Sequence, residues 1–321
     1  MAREKVKFSQ LKSHWPLYLI LFPSLFLIAL FMYFPAFSGT VFSFFRWNGD
    51  ELATYINVHN YVQAFTDPKL GHAFVVVGIL FVASLLQMIP SIITAVVIHR
   101  ITSDKWRYWY RLLFVVPMVV PAMVGLLIWK FFYDPVVGLL NRFLLGTGLL
   151  NLMAKVDLWL VGGDKAQAIF KAGQPPAWLG DTHLVLPALI FWGFPWIGIV
   201  GVLIYLSGLE KVPASVYECA ELDGVGWLGK FFYIELPLIA TAVRVNLVLT
   251  IIGVLQGYGL ILVLLTDSGG PGGAAMVPGL YMYHNAFIER EAGYACAIGI
   301  MLFVLTLLLT WINNKFVRVE K

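Results

Sequence analysis

Gly71-His-Ala-Phe-Val-Val-Val-Gly-Ile-Leu80-Phe-Val-Ala-Ser-Leu-Leu-Gln-Met-Ile-Pro90-Ser-Ile-Ile-Thr-Ala-Val-Val-Ile-His99 carries no Asp, Glu, Lys or Arg over its whole length. A helix needs about 20 apolar residues to cross the roughly 30 Å hydrocarbon core of a bilayer, so this run is long enough to span one. Directly after it, Arg100, Lys105, Arg107 and Arg111 crowd a short connection that holds one acid, Asp104. Basic residues gather in short cytoplasmic connections. The stretch therefore predicts a span and its direction together.

Working outward, five further charge-free runs repeat the pattern: Leu17 to Phe45, Leu112 to Trp129, Leu184 to Leu209, Val245 to Thr266 and Ala292 to Asn314. The chain has 321 residues, 60% of them hydrophobic and 12% charged, where soluble domains carry about 25% charge. Such a surface calls for lipid as its solvent. The expectation is an all-α integral membrane protein with about six transmembrane helices. The spans fall near 17–43, 73–99, 110–132, 184–207, 240–265 and 292–314, within a single transmembrane domain over 16–321. A cytoplasmic segment, 1–15, precedes it; a long outer loop occupies 133–182 and a long cytoplasmic loop 208–237. The shorter apolar stretch Phe143 to Ala154, bracketed by Arg142 and Lys155, reads as an interfacial or re-entrant piece.

Arg3, Lys5, Lys7 and Lys12 followed by apolar sequence look like the start of a signal peptide. A cleavable apolar core is about 7–15 residues, and the uncharged run from Ser13 to Phe45 far exceeds that, so it reads as an uncleaved first span. Lys211, Lys230, Arg244, Lys315, Arg318 and Lys321 fall on the same side as the Arg100–Arg111 connection, which puts both termini in the cytoplasm. The net charge of +4 gives no reason to invoke nucleic acid. Cys219 and Cys296 suggest no disulfide framework, and the scattered histidines have no metal-ligand spacing.

The cytoplasmic loop reads Val212-Pro-Ala-Ser-Val-Tyr-Glu218-Cys-Ala220-Glu-Leu-Asp223-Gly224-Val-Gly-Trp-Leu-Gly-Lys-Phe231-Phe-Tyr-Ile234-Glu-Leu236-Pro237. Physically this is a short helix, a break and a second short helix. Pro213 suits a first helical turn, Gly224 suits the left-handed residue that ends a helix, and Pro237 marks re-entry into the next span. Glu218, Glu221 and Asp223 argue against a loop lying on an anionic leaflet.

This pattern resembles the signature loop of ABC-importer permeases: Glu-Ala-Ala, three residues, Gly, nine residues, then Ile-x-Leu-Pro. Glu218, Ala220, Gly224, Ile234, Leu236 and Pro237 stand at that spacing, and Cys219 replaces the usual second-position Ala. The resemblance implies a type I ABC importer-like fold in which 208–237 is a helix-turn-helix coupling loop docking in a cleft of the ATPase. Cys219 and Ala220 would allow close approach there, and Glu218, with Asp223 near it, would offer a carboxylate to a basic partner.

A second resemblance lies in Leu265-Thr266-Asp-Ser-Gly269-Gly270-Pro271, Leu280-Tyr-Met-Tyr283-His-Asn-Ala286-Phe287 and Gly293-Tyr294-Ala295. These look like the carbohydrate-uptake branch, the maltose- and glycerol-phosphate-type permeases, with one extra residue between Thr266 and Gly-Gly-Pro. Gly138-Leu-Leu-Asn141 and Pro176-Ala-Trp178-Leu179 are also similar, and Lys155 to Gln174 looks like an insertion.

The resemblance implies a permease subunit that forms the path for a sugar or sugar-like solute. Its partners would be ABC ATPase subunits, a second and related but different permease chain, an extracytoplasmic solute-binding protein, and lipid. It further implies a bacterial or archaeal cytoplasmic (inner) membrane, no cofactor on this chain, and ATP and Mg on the ATPase. The sequence agrees with the last point, since Gly226-Trp-Leu-Gly229-Lys230 has neither the spacing nor the hydroxyl of a phosphate loop. A permease for a non-sugar solute, or an ion-coupled secondary transporter, is the alternative. The absence of acids and bases from the six runs counts against the second.

Sugars need amide and hydroxyl partners plus flat aromatic faces. Trp192 and Trp196 in the fourth run, and Asn246, Gln256 and Tyr258 in the fifth, supply them and are candidates for the solute path. The competing reading makes the aromatics interfacial anchors and the amides glue between helices. In the insertion, Asp157, Asp164, Lys165 and Lys171 mix with Trp159, Leu160 and Val161, which suits contact with a binding protein or guarding of the outer mouth.

Overall fold

The structure, a computed structural model, describes residues 15–50, 52–164 and 167–316. The expected cytoplasmic segment 1–15 lies almost wholly outside these residues, as do Lys165, Arg318 and Lys321. The regular structure of the described residues is helical apart from one two-stranded hairpin, β1 (Phe45–Arg46) against β2 (Thr54–Tyr55), and an isolated bridge between Lys171 and Gln174. Two compact units emerge: one holds the chain to Ala64 together with Asn285–Ile300, the other holds Phe65–His284 and the residues from Met301 onward.

Three helices are continuous and long enough to cross a bilayer. They are α1 (Trp15–Phe42) and α3 (Pro68–His99), with α15 (Ala292–Phe316). α2 (His59–Thr66) lies between the first two. α1 passes through a π-helical turn at Ala29–Tyr33 and leaves its apolar surface exposed on every side, as a helix bathed in hydrocarbon does. α3 starts earlier than expected because Asp67 caps it, accepting a hydrogen bond from the Lys69 N–H at 2.9 Å, and Pro68 supplies the first turn.

The other expected spans are interrupted, which hydropathy cannot reveal. Near 110–132 the chain forms α4 (Asp104–Val119) and α5 (Ala122–Phe132), bent by 85°. Pro121 causes the break, since Val120 before it is driven to the extended region at φ −71°, ψ 126°. The run over 184–207 becomes α8 (Val185–Phe191) and α9 (Ile199–Leu209). Between them lie a cis Phe194–Pro195 bond and the positive φ values of Gly193 (78°) and Trp196 (60°). The run over 240–265 splits into α12 (Ala240–Gln256) and α13 (Gly259–Leu265), and α14 (Pro278–Phe287) precedes α15. Counting each bent pair as one span, the described residues hold up to seven.

The long stretch 133–182, expected to be an outer loop, folds locally. α6 (Leu139–Gly146) and α7 (Leu149–Leu160) contain the stretch expected to be interfacial, and they meet at 83° about Gly148. Trp178 donates its indole N–H to Asn141 Oδ1 at 2.9 Å, and Asn141 Nδ2 donates to the Pro176 carbonyl at 3.1 Å, so two motifs far apart in sequence close on each other. Tyr133, Leu144, Leu150, Leu184 and Ala188 form the apolar floor beneath them. Within 155–174, the first six residues finish α7, and Asp157 accepts the Phe170 N–H at 2.8 Å.

In the first unit, Asn60 donates to the carbonyls of Ser43 and Phe45, both at 2.9 Å, and the Gly293 N–H donates to the Trp47 carbonyl at 2.9 Å. A methyl group on Gly293 would lie 2.0 Å from the Phe45 carbonyl oxygen, which is backbone and cannot turn away. Gly293→Ala is therefore expected to destabilise the protein by about 1–3 kcal/mol, read as a lower Tm in detergent. Gly78→Ala serves as the control: its methyl meets nothing within 4 Å, so the Tm should hold or rise.

Candidate functional site

After α9, Pro213 stands at the N-cap position of α10 (Ala214–Leu222) with φ −62° and ψ 141°. That is one residue before the first turn expected for it. α10 ends as the sequence suggests. Gly224 takes φ +70°, its N–H donates to the Glu221 carbonyl at 3.1 Å, and the Val225 N–H donates to the Ala220 carbonyl at 2.9 Å. This bond pair closes the last carbonyls of a helix around a left-handed residue. A second helical stretch, α11 (Trp227–Leu238), follows and includes a π-helical turn at Lys230–Glu235. It meets α12 at 68° about Ile239.

The two faces of α10 differ. Glu218, Cys219, Glu221 and Asp223 are exposed, and Leu222 is 88% exposed. Ala220 is buried, so its small side chain serves packing inside the chain, and only Cys219 of the expected small pair reaches the surface. Lys230 ties α11 to α10 through a 2.7 Å ion pair with Glu221, and hydrogen bonding and charge from Lys230 hold that carboxyl below its ordinary range. Ile234 and Leu236 are half-buried and Pro237 is exposed; Leu236 packs on the cluster of Ile92, Val96, Leu206 and Ile239.

Beneath α10 and α11 lies a group that the sequence alone did not single out. Glu235 is 0% exposed, and Arg100, the residue that ends α3, grips both its carboxylate oxygens, Nε to Oε1 at 2.8 Å and Nη2 to Oε2 at 2.7 Å. Arg100 Nη2 also donates to the Trp227 carbonyl at 3.1 Å, and its guanidinium sits 4.6 Å from the centre of the Trp227 ring. From α10, the Tyr217 ring lies 5.7 Å from that of His99. Its hydroxyl is buried, and burial with the nearby Glu235 carboxylate pushes the phenol up to about 12. Arg107 pairs with Asp104 at 3.1 Å, and Arg111 pairs with Glu210. The basic residues read as orientation signals are thus also structural ties. The signal for Glu235 was a lone acid in the apolar stretch Phe231–Ile239. Its partner lies 135 residues away, out of reach of local pattern.

The five path candidates do not form one cluster. Trp196 sits in the break between α8 and α9, its indole N–H donating to the Ile190 carbonyl at 3.0 Å, and Trp192 borders the same break. Two α3 side chains hold that irregular backbone. Gln87 donates to the Ile190 carbonyl at 2.7 Å, while Ser91 accepts the Gly198 N–H at 2.8 Å and donates to the Trp196 carbonyl at 3.2 Å. Asn246 donates to the Tyr205 hydroxyl at 2.7 Å, which is the inter-helix role weighed against solute contact. Gln256 is exposed at the next break, and Tyr258 there stacks on Tyr283 with centroids 5.7 Å apart.

This chain belongs to the family of binding-protein-dependent transport system inner membrane components, which it matches over residues 89–318. It is a permease subunit of an ABC transporter, and ATP hydrolysis belongs to a separate chain. The probable ABC transporter permease protein YurN of Bacillus subtilis is 31% identical over 95% of this chain and 96% of its own length. The multiple sugar-binding transport system permease protein MsmF of Streptococcus mutans is 26% identical, covering 92% of each. The crystal structure of a bacterial ABC transporter involved in import of the acidic polysaccharide alginate contains a chain of the same fold. That chain has a TM-score of 0.77 at 21% identity, over 98% of this chain and 99% of its own.

Irregular backbone at membrane depth is tolerated only where its polar groups find partners inside the protein. Ser91→Ala strands the Gly198 N–H, and Gln87→Leu removes a donor from the Ile190 carbonyl. Each should destabilise by about 1–3 kcal/mol, seen as a Tm decrease. Thr310→Ala, in α15 and outside the hydrogen bonds that hold the break, should change the Tm far less.

Proposed function

We propose that this subunit lines the membrane path for a sugar or sugar-like solute handed over by an extracytoplasmic binding protein, beside a second permease chain. The loop 208–237 is the element on which the ATPase docks. The observation that carries the docking role is the α10 surface: an acidic helix with an exposed leucine, ended by Gly224 and held from below by buried contacts. Glu218, Cys219 and Asp223 face the partner with Leu222, while Ile234, Leu236 and Pro237 return the chain to the membrane. The sugar class rests on the motifs around Gly270, Tyr283 and Tyr294 and on the naming of the relatives for sugar uptake. Among the path candidates, Trp192 and Trp196 at one break and Gln256 and Tyr258 at the next are the preferred contacts, and Asn246 is a support. ATP and Mg reside on the partner, and both termini are cytoplasmic. The segment 155–174 then faces the side from which the binding protein arrives.

Gly224→Val tests the docking role. A Cβ added at Gly224 meets nothing within 4 Å, so the expected defect comes from the left-handed backbone, which costs an ordinary residue about 1–2 kcal/mol and a β-branched one more. ATPase copurification or transport per ATP should fall several-fold, and full transport would remove the assignment. Uptake of a panel of labelled oligosaccharides, polyols and amino acids by the reconstituted transporter tests the solute class; amino-acid uptake alone would overturn the sugar reading.

Orientation is checked separately with impermeant maleimide on intact cells, read by peptide mass. A cysteine placed at Gln167 should react and one placed at Lys105 should not; the reverse pattern would invert the topology.

A further inference from the structure

We propose that the Arg100–Glu235 pair is the positioning joint that carries movement of the 208–237 loop into α3, and through α3 into the broken fourth span. The inference rests on the reading of that loop as the ATPase-docking element. Three elements converge at the joint. Arg100 closes α3, Glu235 and Trp227 belong to α11, and Tyr217 reaches in from α10. Arg100 holds α11 at two places, the carbonyl and ring of its first residue and the carboxylate of Glu235 further along.

A planar guanidinium gripping both oxygens of a carboxylate fixes orientation as well as distance. With Glu235 fully buried, the pair cannot part without leaving a charge uncompensated in an apolar setting. The hairpin of α10 and α11 therefore cannot slide over the end of α3; it moves with it. The connection from α11 onward into α12 is different. Ile239, at φ −88° and ψ 8°, interrupts the helix there, and a bend of 68° follows. A push on the hairpin is thus passed to α3 more stiffly than along the chain.

α3 runs unbroken for 32 residues, and the side chains it offers near its middle are the ones that hold the break. Gln87 binds the Ile190 carbonyl, and Ser91 binds both the Trp196 carbonyl and the Gly198 N–H. Displacement of α3 is transmitted to these backbone atoms, on either side of Trp192. Contact with the break gives the joint an effect on the solute path that a purely structural ion pair would lack.

The test uses the whole transporter, reconstituted with its ATPase and partner permease, and needs no solute. A cysteine at Phe194, a half-exposed residue of the break, is labelled with a maleimide before and after trapping with ATP and vanadate. The labelled peptide is read by mass, and the protein without the Phe194→Cys change gives the background. The labelling rate should respond to trapping when the joint is intact. Arg100→Lys keeps the buried charge compensated and loses the two-pronged grip, and Arg100→Met/Glu235→Leu replaces the pair by apolar volume. Both should retain the ATPase and hydrolyse ATP, while the response at Phe194→Cys falls by at least about fivefold, the lower end of typical inter-site couplings. A normal response in either assembled variant overturns the joint, and so does a loss of response that merely parallels loss of bound ATPase. Gly224→Val separates the two levels. If it loses the response while the Arg100 variants keep theirs, only the joint falls; if it keeps ATPase and response alike, the docking reading falls and the joint with it.

Discussion

A backbone N–H or carbonyl in hydrocarbon has no water to turn to, and leaving one unpaired costs several kcal/mol. That constraint governs the whole molecule. Where the chain is helical, as in α1, α3 and α15, most peptides are satisfied within their own segment, prolines such as Pro23 and Pro90 being the exceptions, and the exterior needs only to be apolar. Where it breaks, partners must be imported. At the α8–α9 break they come from Gln87 and Ser91 of α3 and from the indole of Trp196 itself. The most apolar part of the molecule therefore depends on a few hydroxyl, amide and indole groups. Their placement decides where helices stop.

The same scarcity of solvation shapes the region where α3 ends against α11. A carboxylate as buried as Glu235 persists there because Arg100 saturates it from two directions and Trp227 covers the guanidinium. Replacing a buried pair by apolar residues is often neutral for stability, so stability alone does not account for its presence. Orientation does. The outward face of α10, carrying Glu218, Cys219, Leu222 and Asp223, is presented at an angle set by what lies under it. Two kinds of residue are at work: those exposed on α10, which the proposed docking would set against the ATPase, and those beneath that aim them.

Much of this was legible in the residues. Continuous helices at the first, second and last runs followed from apolar length, and the end of α10 at Gly224 followed from the need for a left-handed residue. The local folding of 133–182 was foreshadowed by the short run around Phe143, but the closure of Asn141 on Trp178 was not, because nothing in either motif names the other. Hydropathy does not show the interruptions at Val120, Gly193 and Gly257, because it measures how apolar a stretch is and ignores where its peptides bond. Pro121 and the Gly-Phe-Pro of 193–195 were visible signs of the first two. Asn246 satisfied both of its readings in sequence, and only the position of the Tyr205 hydroxyl separated them. Long-range pairs of one acid and one base are the least legible feature of all, since any of several arginines near the Arg100 connection was an equal partner for Glu235 on paper.

The separation of Arg100 from Glu235 along the chain has a consequence for heredity. A gene segment encoding the 208–237 loop is not a self-contained cassette, because its seating is written in part 135 codons upstream. Recombination that brings in a loop from a relative with a neutral residue at this position would bury an unanswered guanidinium, and the reverse exchange would bury an unanswered acid. The pairing requires the two positions to change together or to pass through a misaligned intermediate. A chimaera built by exchanging the loop must bring along the residue at the end of α3 if it is to sit as it did in its parent.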